Sequence, residues 1–526
     1  MTYQEPIFLL VFLPAVLLVY HLMPQKHRWK VLLAASYVFF WSISGKMLIF
    51  LLLSTFSIHH FGLWIDTIRQ DEDAVIKAAE KPERKALREK KKHRMRRVLA
   101  LGIVLHIGLL LCLKYINFFG TNVNLLLGAL GGPGLFPTFQ WVLPIGISFY
   151  TMQAVSYLVD VYRGTAPADR SLGRLALYMG FFPQLMEGPI CRYSQTAEAL
   201  YEGRPILYAN LTSGIQRILY GLFKKMVIAD RLNLGVNTIF DKYPMHGGGV
   251  IFLGMLAYTC QLYMDFSGIM DVVMGMGEIF GIKLPENFRR PFFSKSISEF
   301  WTRWHITLGA WFRDYIYYPL SLSGPLKKLT TNGRKHLGNH FGPLMAGSIA
   351  LFCVWFSNGL WHGAAWSYLF FGMYHFVLIL LANLTEPFTR KVLEWLHIPR
   401  ESFGYRVFRI VRTSLLVCVG ELFFRANGLR AGVRMFRTMV TDFSIPTLKE
   451  LQLGLDRFDV LIVVVAVLVV FIISILQEKE IPLRQTVSKT PVVVRWAVYY
   501  AAILAIIFFG AYGVGYVPVE PMYAGF

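Results

Sequence analysis

The chain has 526 residues, of which 55% are hydrophobic and only 16% are charged. An ordinary soluble domain carries about 25% charged residues. The low charged fraction and a mean hydropathy of +0.47 therefore argue against a soluble globular protein. In a soluble protein, a formal net charge of +21 would suggest a nucleic-acid partner. In a membrane protein the same excess is explained by the enrichment of Lys and Arg in cytoplasmic loops. No nucleic-acid partner is therefore expected.

Apolar runs long enough to cross a bilayer recur along the chain, since a spanning helix needs about 20 mainly apolar residues. The clearest runs are 7–23, 98–116, 141–159, 460–476 and 496–519, with less regular candidates near 31–45, 47–65, 250–264, 266–280, 300–320 and 407–424. The segment 341–385 has 45 residues without Asp, Glu, Lys or Arg, which fits two passes. Together they predict an all-α polytopic protein with roughly a dozen membrane segments, some of them re-entrant.

The first run, 7–23, has no basic region before it and no small-residue cleavage site after it, so a retained helix is expected rather than a removed signal peptide. The five cysteines stand singly and predict neither a disulfide framework nor a zinc site. His336 and His340 have the spacing of a metal-binding helix face but no neighbouring carboxylate. A solvated loop is the preferred interpretation, and no metal site is expected.

Basic residues cluster between the apolar runs, at 26–30, 84–97 and 327–335. The positive-inside rule places these segments in the cytoplasm and the N-terminus outside. Within 66–97, a basic cytoplasmic loop, acids and bases alternate as in a solvated helix. A charged connector is the favoured interpretation, with partner docking as the alternative.

Two segments do not fit plain spanning helices. Residues 174–193 are apolar but contain Pro183, Gly188 and Pro189, which predicts a re-entrant or kinked element. Residues 204–231 place apolar side chains at helical spacing and basic ones at other positions. This pattern is typical of an amphipathic helix at a membrane interface.

Carboxylates within apolar runs are expensive and therefore functional candidates. Asp265 and Asp271 follow Tyr263 on one such run, and Glu278 lies further along it. They could form a proton relay or an ion site. A carrier or flippase for polysaccharide precursors therefore stays an alternative.

Residues 296–320 combine tryptophans with charged side chains and a histidine. On a helix, Trp301, Trp304 and His305 would share one face. The residues alone favour an aromatic belt at the membrane interface, with Arg313 paired to Asp314.

His362 lies at a polar interruption between two apolar runs. Asn358 and Trp361 precede it, and Gly359 and Gly363 flank the interruption. Such a break is tolerated at membrane depth where it lines a cavity or is buried in protein. A histidine there could accept a proton from a hydroxyl in acyl transfer, although the residues alone favour a packing role.

Six ordered blocks carry a resemblance that covers nearly the whole chain. They are LPIGISFYTMQAVSYLVDVYRG (143–164), FFPQLMEGPICRY (181–193), YMDFSGIMDVVMGMGEIFGIKLPENFRRPF (263–292), SISEFWTRWHITLGAWFRDYIYYPL (296–320), FSNGLWHGAAWSYLFFGMYH (356–375) and FFRANGLRAGVRMF (423–436). With these blocks the chain resembles the membrane-bound O-acyltransferase (MBOAT) family, in the bacterial branch that includes the alginate O-acetylation protein.

The resemblance implies a ring of about 11–12 transmembrane helices, with re-entrant elements, around a central tunnel. It implies a single membrane domain, 1–526, with a catalytic core at 141–385 and C-terminal helices at 386–526. The histidine of the Trp-His-Gly block, His362, is then catalytic, and His305 is the second member of the site.

The resemblance also implies the substrates and the setting. The enzyme takes an acyl group from a cytoplasmic thioester, acetyl-CoA or another, for O-acylation of an extracytoplasmic polysaccharide. By this resemblance it is expected to have no bound cofactor, to lie in the cytoplasmic membrane, and to work with an extracytoplasmic acetyltransferase partner. D-alanyl transfer to teichoic acid from a carrier protein is the alternative within the family.

The sequence departs from the family pattern at Glu187, where a small residue is expected before Gly-Pro, and in the ending MYAGF (522–526). An acid at 187 could alter the lining of the tunnel, so the acyl group and acceptor stay open. Arg303 and Arg313 are candidates either for the phosphates of an anionic donor or for structural ion pairs.

Overall fold

A computed structural model describes residues 1–140, 142–447, 449–512 and 515–519. These residues form helices and no strand, apart from an isolated bridge between Phe288 and Trp304. The prediction of an all-α protein is confirmed. The chain forms two compact units, of which the first comprises Met1–Ile215 and Val273–Pro285, and the second Gln216–Val272 and the described residues from Glu286 onward.

The first unit contains seven complete helices and the start of an eighth among the described residues. They are α1 (Leu13–Leu22), α2 (Gln25–Ser44), α3 (Leu48–Ala78), α4 (Arg84–Ala129), α5 (Ile147–Arg163), α6 (Leu172–Gly180), α7 (Tyr193–Glu202) and α8 (Tyr208–Leu222), which ends in the second unit. A π-helical turn at Phe8–Phe12 leads into α1.

The second unit continues from α8 through a π-helical segment, Phe223–Ala229. Its helices are α9 (Asp230–Asp241), α10 (Gly248–Ile279), whose last turns belong to the first unit, α11 (Ile297–Arg303), α12 (Ile306–Phe312), α13 (Tyr318–Ser321), α14 (Gly324–His362), α15 (Trp366–Trp395), α16 (Phe403–Arg425), α17 (Leu429–Thr441), α18 (Arg457–Glu478), α19 (Leu483–Ser488) and α20 (Val492–Phe509).

Seven helical stretches of the described residues are long and apolar enough to cross a membrane. They are Gln25–Ala78, which contains both α2 and α3, Arg84–Ala129, Gly248–Ile279, Gly324–His362, Trp366–Trp395, Arg457–Glu478 and Val492–Phe509. Large apolar side chains on α18, such as Leu461 and Leu468, are exposed, which suits a lipid-facing surface. The prediction of a polytopic membrane protein is confirmed.

Several predicted segments differ from the observed helices. The two candidates at 250–264 and 266–280 are one continuous helix, α10. The candidate at 141–159 is the 17-residue α5, in which residues 147–158 are all buried, so it is a core helix. The run at 7–23 forms a shorter apolar stretch, Phe8–Leu22, and part of 496–519 lies outside the described residues, as does the ending 522–526.

The break predicted in 174–193 is confirmed. Helix α6 ends at Gly180 and α7 begins at Tyr193, and the residues between them are buried and non-helical. Hydroxyls satisfy part of this buried backbone: Tyr3 donates to the carbonyl of Phe182 at 2.6 Å, and Tyr178 donates to the carbonyl of Cys191 at 2.9 Å. Buried backbone needs such partners because water cannot reach it.

The basic segment 66–97 is helical, as its alternating charges predict. Helices α3 and α4 continue through it, and only residues 79–83 separate them. Lys91 bonds Asp73 at 2.6 Å, and Arg94 pairs with Glu72. These pairs join the two helices near their charged ends.

Candidate active site

His362 is the last residue of α14, and the chain turns there into α15. Residues 363–365 are non-helical, and α15 begins at Trp366. A side chain at Gly363 would overlap the ring of Tyr368, so this tight connection requires a residue without a Cβ. The sequence prediction of two passes joined near His362 is confirmed, with the break just after the histidine.

The His362 ring lies among aromatic rings and is buried, with 6% of its surface exposed. Phe424 of α16 meets it edge to face at 5.1 Å between ring centroids, and Phe371 of α15 does so at 5.8 Å. Three helices thus surround the imidazole. Walls of this kind keep water out and strengthen polar interactions inside.

His305 lies in a bend between α11 and α12 rather than on a continuous helix. Trp304 is extended and His305 adopts the left-handed conformation, with φ 45° and ψ 50°, which is unfavourable for a residue with a side chain. Backbone pairing with 287–289 holds the bend: Arg289 N–H donates to Arg303 at 2.8 Å, and Ile306 N–H donates to Asn287 at 3.0 Å. The prediction that Trp301, Trp304 and His305 share a helix face is wrong, because this tertiary pairing overrides helix propensity.

Both predicted site histidines contact Trp361. The rings of His305 and Trp361 are 5.7 Å apart, and those of Trp361 and His362 are 5.1 Å apart. His305 is 3% exposed, and burial lowers its pKa to about 3, so the ring is neutral near pH 7. The second unit therefore brings together two buried imidazoles that are separated by 57 positions in sequence.

Asn287 is a polar neighbour of His305 that sequence reasoning did not single out. Its Oδ1 lies 3.2 Å from Nδ1 of His305 and also accepts from the backbone N–H of Thr307 at 3.1 Å and from its hydroxyl at 2.9 Å. The residue lies within a quoted family block, but nothing in its local pattern indicates a histidine partner. Only the folded bend reveals it.

A third histidine, His375 on α15, was also missed. It is fully buried, and its ring lies 4.8 Å from that of Trp301 and 4.7 Å from that of Phe371. Within the described residues neither of its ring nitrogens has a hydrogen-bond partner. Because Phe371 also contacts His362, His375 extends the aromatic surroundings of the site.

Arg303 and Arg313 both form ion pairs. Arg303 bonds Glu299 at 2.9 Å and Glu478 at 3.0 Å, while Arg313 bonds Asp314 at 3.0 Å as the sequence suggests. These contacts favour the structural interpretation of both arginines over phosphate binding.

The intramembrane carboxylates are paired with the basic residues near the end of α8. Asp265 bonds Lys225 at 2.6 Å, and Asp271 bonds Lys224 at 2.6 Å and Arg217 at 2.9 Å. These lysines are buried, so the prediction that 204–231 presents its basic residues at a membrane interface is wrong for them. Glu278 accepts from Ser213 at 2.9 Å.

The remaining candidates are placed as follows. Glu187 is buried in the non-helical segment of the first unit. His336 and His340 lie in α14 on either side of Gly338, whose φ of 76° interrupts the helix, so the expected loop is wrong. No group of three or more His, Cys, Asp or Glu that could hold a metal occurs in the part of the chain that the structure describes.

Comparison with known proteins agrees with this architecture. Residues 135–333 match the sequence model of MBOAT, the membrane-bound O-acyltransferase family. The probable alginate O-acetylase AlgI of Pseudomonas syringae pv. tomato is 32% identical over 479 residues, which are 90% of this chain and 82% of that protein. The chain belongs to the membrane-bound O-acyltransferase family, and it is a multi-pass membrane O-acyltransferase.

Two further relatives share shorter regions. The peptidoglycan O-acetyltransferase of Helicobacter pylori is 31% identical over 371 residues, covering 65% of this chain and 64% of the relative. The teichoic acid D-alanyltransferase of Bacillus subtilis is 32% identical over 288 residues, covering 53% of this chain and 68% of the relative. The names of these two relatives and of the alginate O-acetylase all describe transfers to polysaccharide or cell-wall acceptors.

Proposed function

We propose that this enzyme takes an acyl group, most simply acetyl, from a thioester on the cytoplasmic side and passes it across the cytoplasmic membrane for O-acylation of a polysaccharide. The observation that carries the proposal is the convergence of His305 and His362 on Trp361 in a buried, aromatic-walled site. A site that excludes water suits this transfer because water cannot then compete with the acceptor hydroxyl for the activated thioester.

In the proposed reaction a ring nitrogen of His362 accepts the proton of the acceptor hydroxyl while the hydroxyl oxygen attacks the thioester carbonyl carbon. The C–O bond forms, the C–S bond breaks with its electron pair on sulfur, and the leaving thiolate takes the proton from His362. His305 either orients the acyl group or stabilises the charge that develops on the carbonyl oxygen.

The relatives favour O-acetylation of a polysaccharide over D-alanylation of teichoic acid. The match to the alginate O-acetylase covers 90% of this chain, whereas the match to the teichoic acid D-alanyltransferase covers 53%. An extracytoplasmic acetyltransferase partner would complete the transfer. A carrier function has less support, because Asp265 and Asp271 are neutralised by buried cations.

Arginines on α16 suit the phosphates of the donor. Arg406, Arg409 and Arg412 follow one another at intervals of three, and the last two converge on the carbonyl of Lys295 at 3.2 and 3.3 Å. Phe424, which lies beside His362, is on the same helix. It is about 18 Å beyond Arg412, at a rise of about 1.5 Å per residue. An extended pantetheine arm has a comparable reach, so a donor whose phosphates bind these arginines could bring its thioester to His362.

The proposal is tested by thioester turnover in proteoliposomes that contain the purified protein, with acetyl-CoA outside and an oligosaccharide acceptor inside. We expect His362→Ala to abolish turnover and His340→Ala, an exposed histidine of the same helix, to retain it. Unchanged turnover in His362→Ala would refute the catalytic role. Acceptor movement without acyl chemistry would favour a carrier.

A further inference from the structure

The amide oxygen of Asn287 identifies which nitrogen of His305 carries the proton. A backbone N–H can donate only to an acceptor, and Thr307 N–H donates to Oδ1 of Asn287 at 3.1 Å. That atom is therefore the amide oxygen rather than the amide nitrogen. Because an amide oxygen cannot donate, the 3.2 Å contact with Nδ1 of His305 requires a proton on Nδ1.

We propose that Asn287 is a positioning residue that holds His305 as its Nδ1–H tautomer, with Nε2 as an acceptor toward the substrates. This inference rests on the proposed function, in which His305 is the second member of the site. It also excludes one of the two roles given there. A neutral ring protonated at Nδ1 cannot donate from Nε2 to a developing oxyanion. His305 therefore orients a substrate through one of its N–H or O–H groups, from which Nε2 accepts a hydrogen bond, because an acyl group such as acetyl has no donor of its own.

The surroundings of Asn287 make its orientation rigid. Its Oδ1 accepts from the backbone and hydroxyl of Thr307, its Nδ2 lies 3.3 Å from the sulfur of Met270, and its carbonyl accepts from Ile306 N–H. The side chain is 1% exposed. A rotated amide would place two donors against Thr307 N–H and Nδ1–H, so the fold excludes the flipped form.

The ring of His305 is held from a second direction. Phe266 of α10 meets it edge to face at 4.9 Å, and Trp361 meets it at 5.7 Å. The unfavourable left-handed backbone of His305 is tolerated because Ile306 and Thr307, which follow it, both bond to Asn287. Asn287 thus fixes both the bend and the tautomer. The hydrogen bond that one ring nitrogen of a histidine makes commonly sets its tautomer in this way.

Solid-state ¹⁵N NMR of protein labelled at its histidines, in proteoliposomes, tests the inference directly. The His305 signals are assigned by their loss in His305→Gln. We expect wild type to show a protonated Nδ1 and an unprotonated Nε2 at this residue. A protonated Nε2 in the neutral wild-type ring would overturn the proposal whatever the catalytic results.

Two substitutions of Asn287 add a functional readout. Asn287→Leu removes the acceptor at similar size, and we expect a mixture of His305 tautomers. We also expect a roughly 10–100-fold lower kcat, by analogy with the loss of residues that orient metal-binding histidines, with an unchanged KM for acetyl-CoA. Asn287→Asp keeps an oxygen at Oδ1 and should restore the Nδ1–H signal and most of kcat. Equal losses in both variants, or an unaltered tautomer in Asn287→Leu, would refute the positioning role.

Controls separate this inference from the proposed function. Asn124 bonds backbone in the first unit in the same way, accepting at Oδ1 from Leu135 N–H at 2.8 Å, so Asn124→Leu reports the general cost of losing such a contact. Full turnover in His305→Ala would contradict the role of His305 in the reaction. The NMR measurement would still test the tautomer of His305 independently. A normal thermal unfolding midpoint in Asn287→Asp shows that its kinetics refer to folded enzyme.

Discussion

Gly359 of α14 and Gly372 of α15 lie against each other, with 3.3 Å between the Cα of Gly359 and the position that a Cβ on Gly372 would occupy. Such close approach is how small residues allow membrane helices to pack tightly. It fixes the hairpin that carries His362 at its end and Phe371 on its returning helix. The two glycines therefore position the site without belonging to it.

Gly372→Ala is expected to separate the two helices. The added methyl group would overlap the carbonyl of Trp355, and overpacking of this kind costs about 1–3 kcal/mol. We expect a lower thermal unfolding midpoint in detergent and reduced thioester turnover. Gly404→Ala is the control, because nothing lies within 4 Å of its Cβ position. Similar loss in both variants would contradict the packing argument.

Lys225→Met is expected to destabilise the second unit strongly. Lys225 bonds Asp265 at 2.6 Å and Asp230 at 2.8 Å, and all three side chains are buried. Removing one partner of a buried pair costs roughly 3–5 kcal/mol because charge is left without compensation. Thermal unfolding should show this loss.

The matched control for that substitution is Lys91→Met. Its partner Asp73 is half-exposed, and such surface pairs contribute about 0–1 kcal/mol. Equal unfolding midpoints for the two variants would mean that the buried charge of Asp265 does not need Lys225 to neutralise it. Asp265 would then again be a candidate for an ion site.

Phe424→Leu is expected to impair the reaction by loosening the wall beside His362. The ring meets the imidazole edge to face at 5.1 Å, and an aromatic pair contributes about 0.5–1.5 kcal/mol. We expect kcat/KM to fall by up to about tenfold, since 1.4 kcal/mol corresponds to that factor. The exposed Phe388 of α15 provides the control, Phe388→Leu. No change in kcat/KM in Phe424→Leu would show that this ring does not support His362.

Replacing both Arg409 and Arg412 by alanine should weaken donor binding rather than chemistry. Loss of two phosphate contacts is expected to raise KM for acetyl-CoA about tenfold, at roughly 1.4 kcal/mol, and to weaken its dependence on salt, with little change in kcat. Steady-state kinetics at two ionic strengths measure both effects. Arg390→Ala, an exposed residue paired with Glu394, is the control, and an unaltered KM in the double variant would place the phosphates elsewhere.

The sequence was sufficient for features that depend on one segment at a time. Apolar length predicted most of the membrane helices, although 141–159 contains a core helix and 250–264 and 266–280 form one helix. The prolines in 174–193 predicted the break between α6 and α7, and six ordered blocks predicted the family. His362 was found at the junction of two apolar runs because a polar break is visible within the segment itself. The ring of about 11–12 helices, the central tunnel and the catalytic roles stay predictions.

Features that depend on a partner from elsewhere in the chain required the tertiary structure. Periodicity assigned Lys224 and Lys225 to the outside of a helix. Both lysines are instead buried, paired with Asp271 and Asp265. Side-chain spacing could not predict these pairs because it carries no information about a charge on another helix. The apolar candidate segment 300–320 likewise predicted a continuous helix through His305. Backbone pairing with Asn287 interrupts that helix, since hydrogen bonds to another segment outweigh the cost of one left-handed residue. The sequence alone therefore determined the membrane architecture in outline and the family, and the tertiary contacts decided where His305 lies and which of its nitrogens accepts.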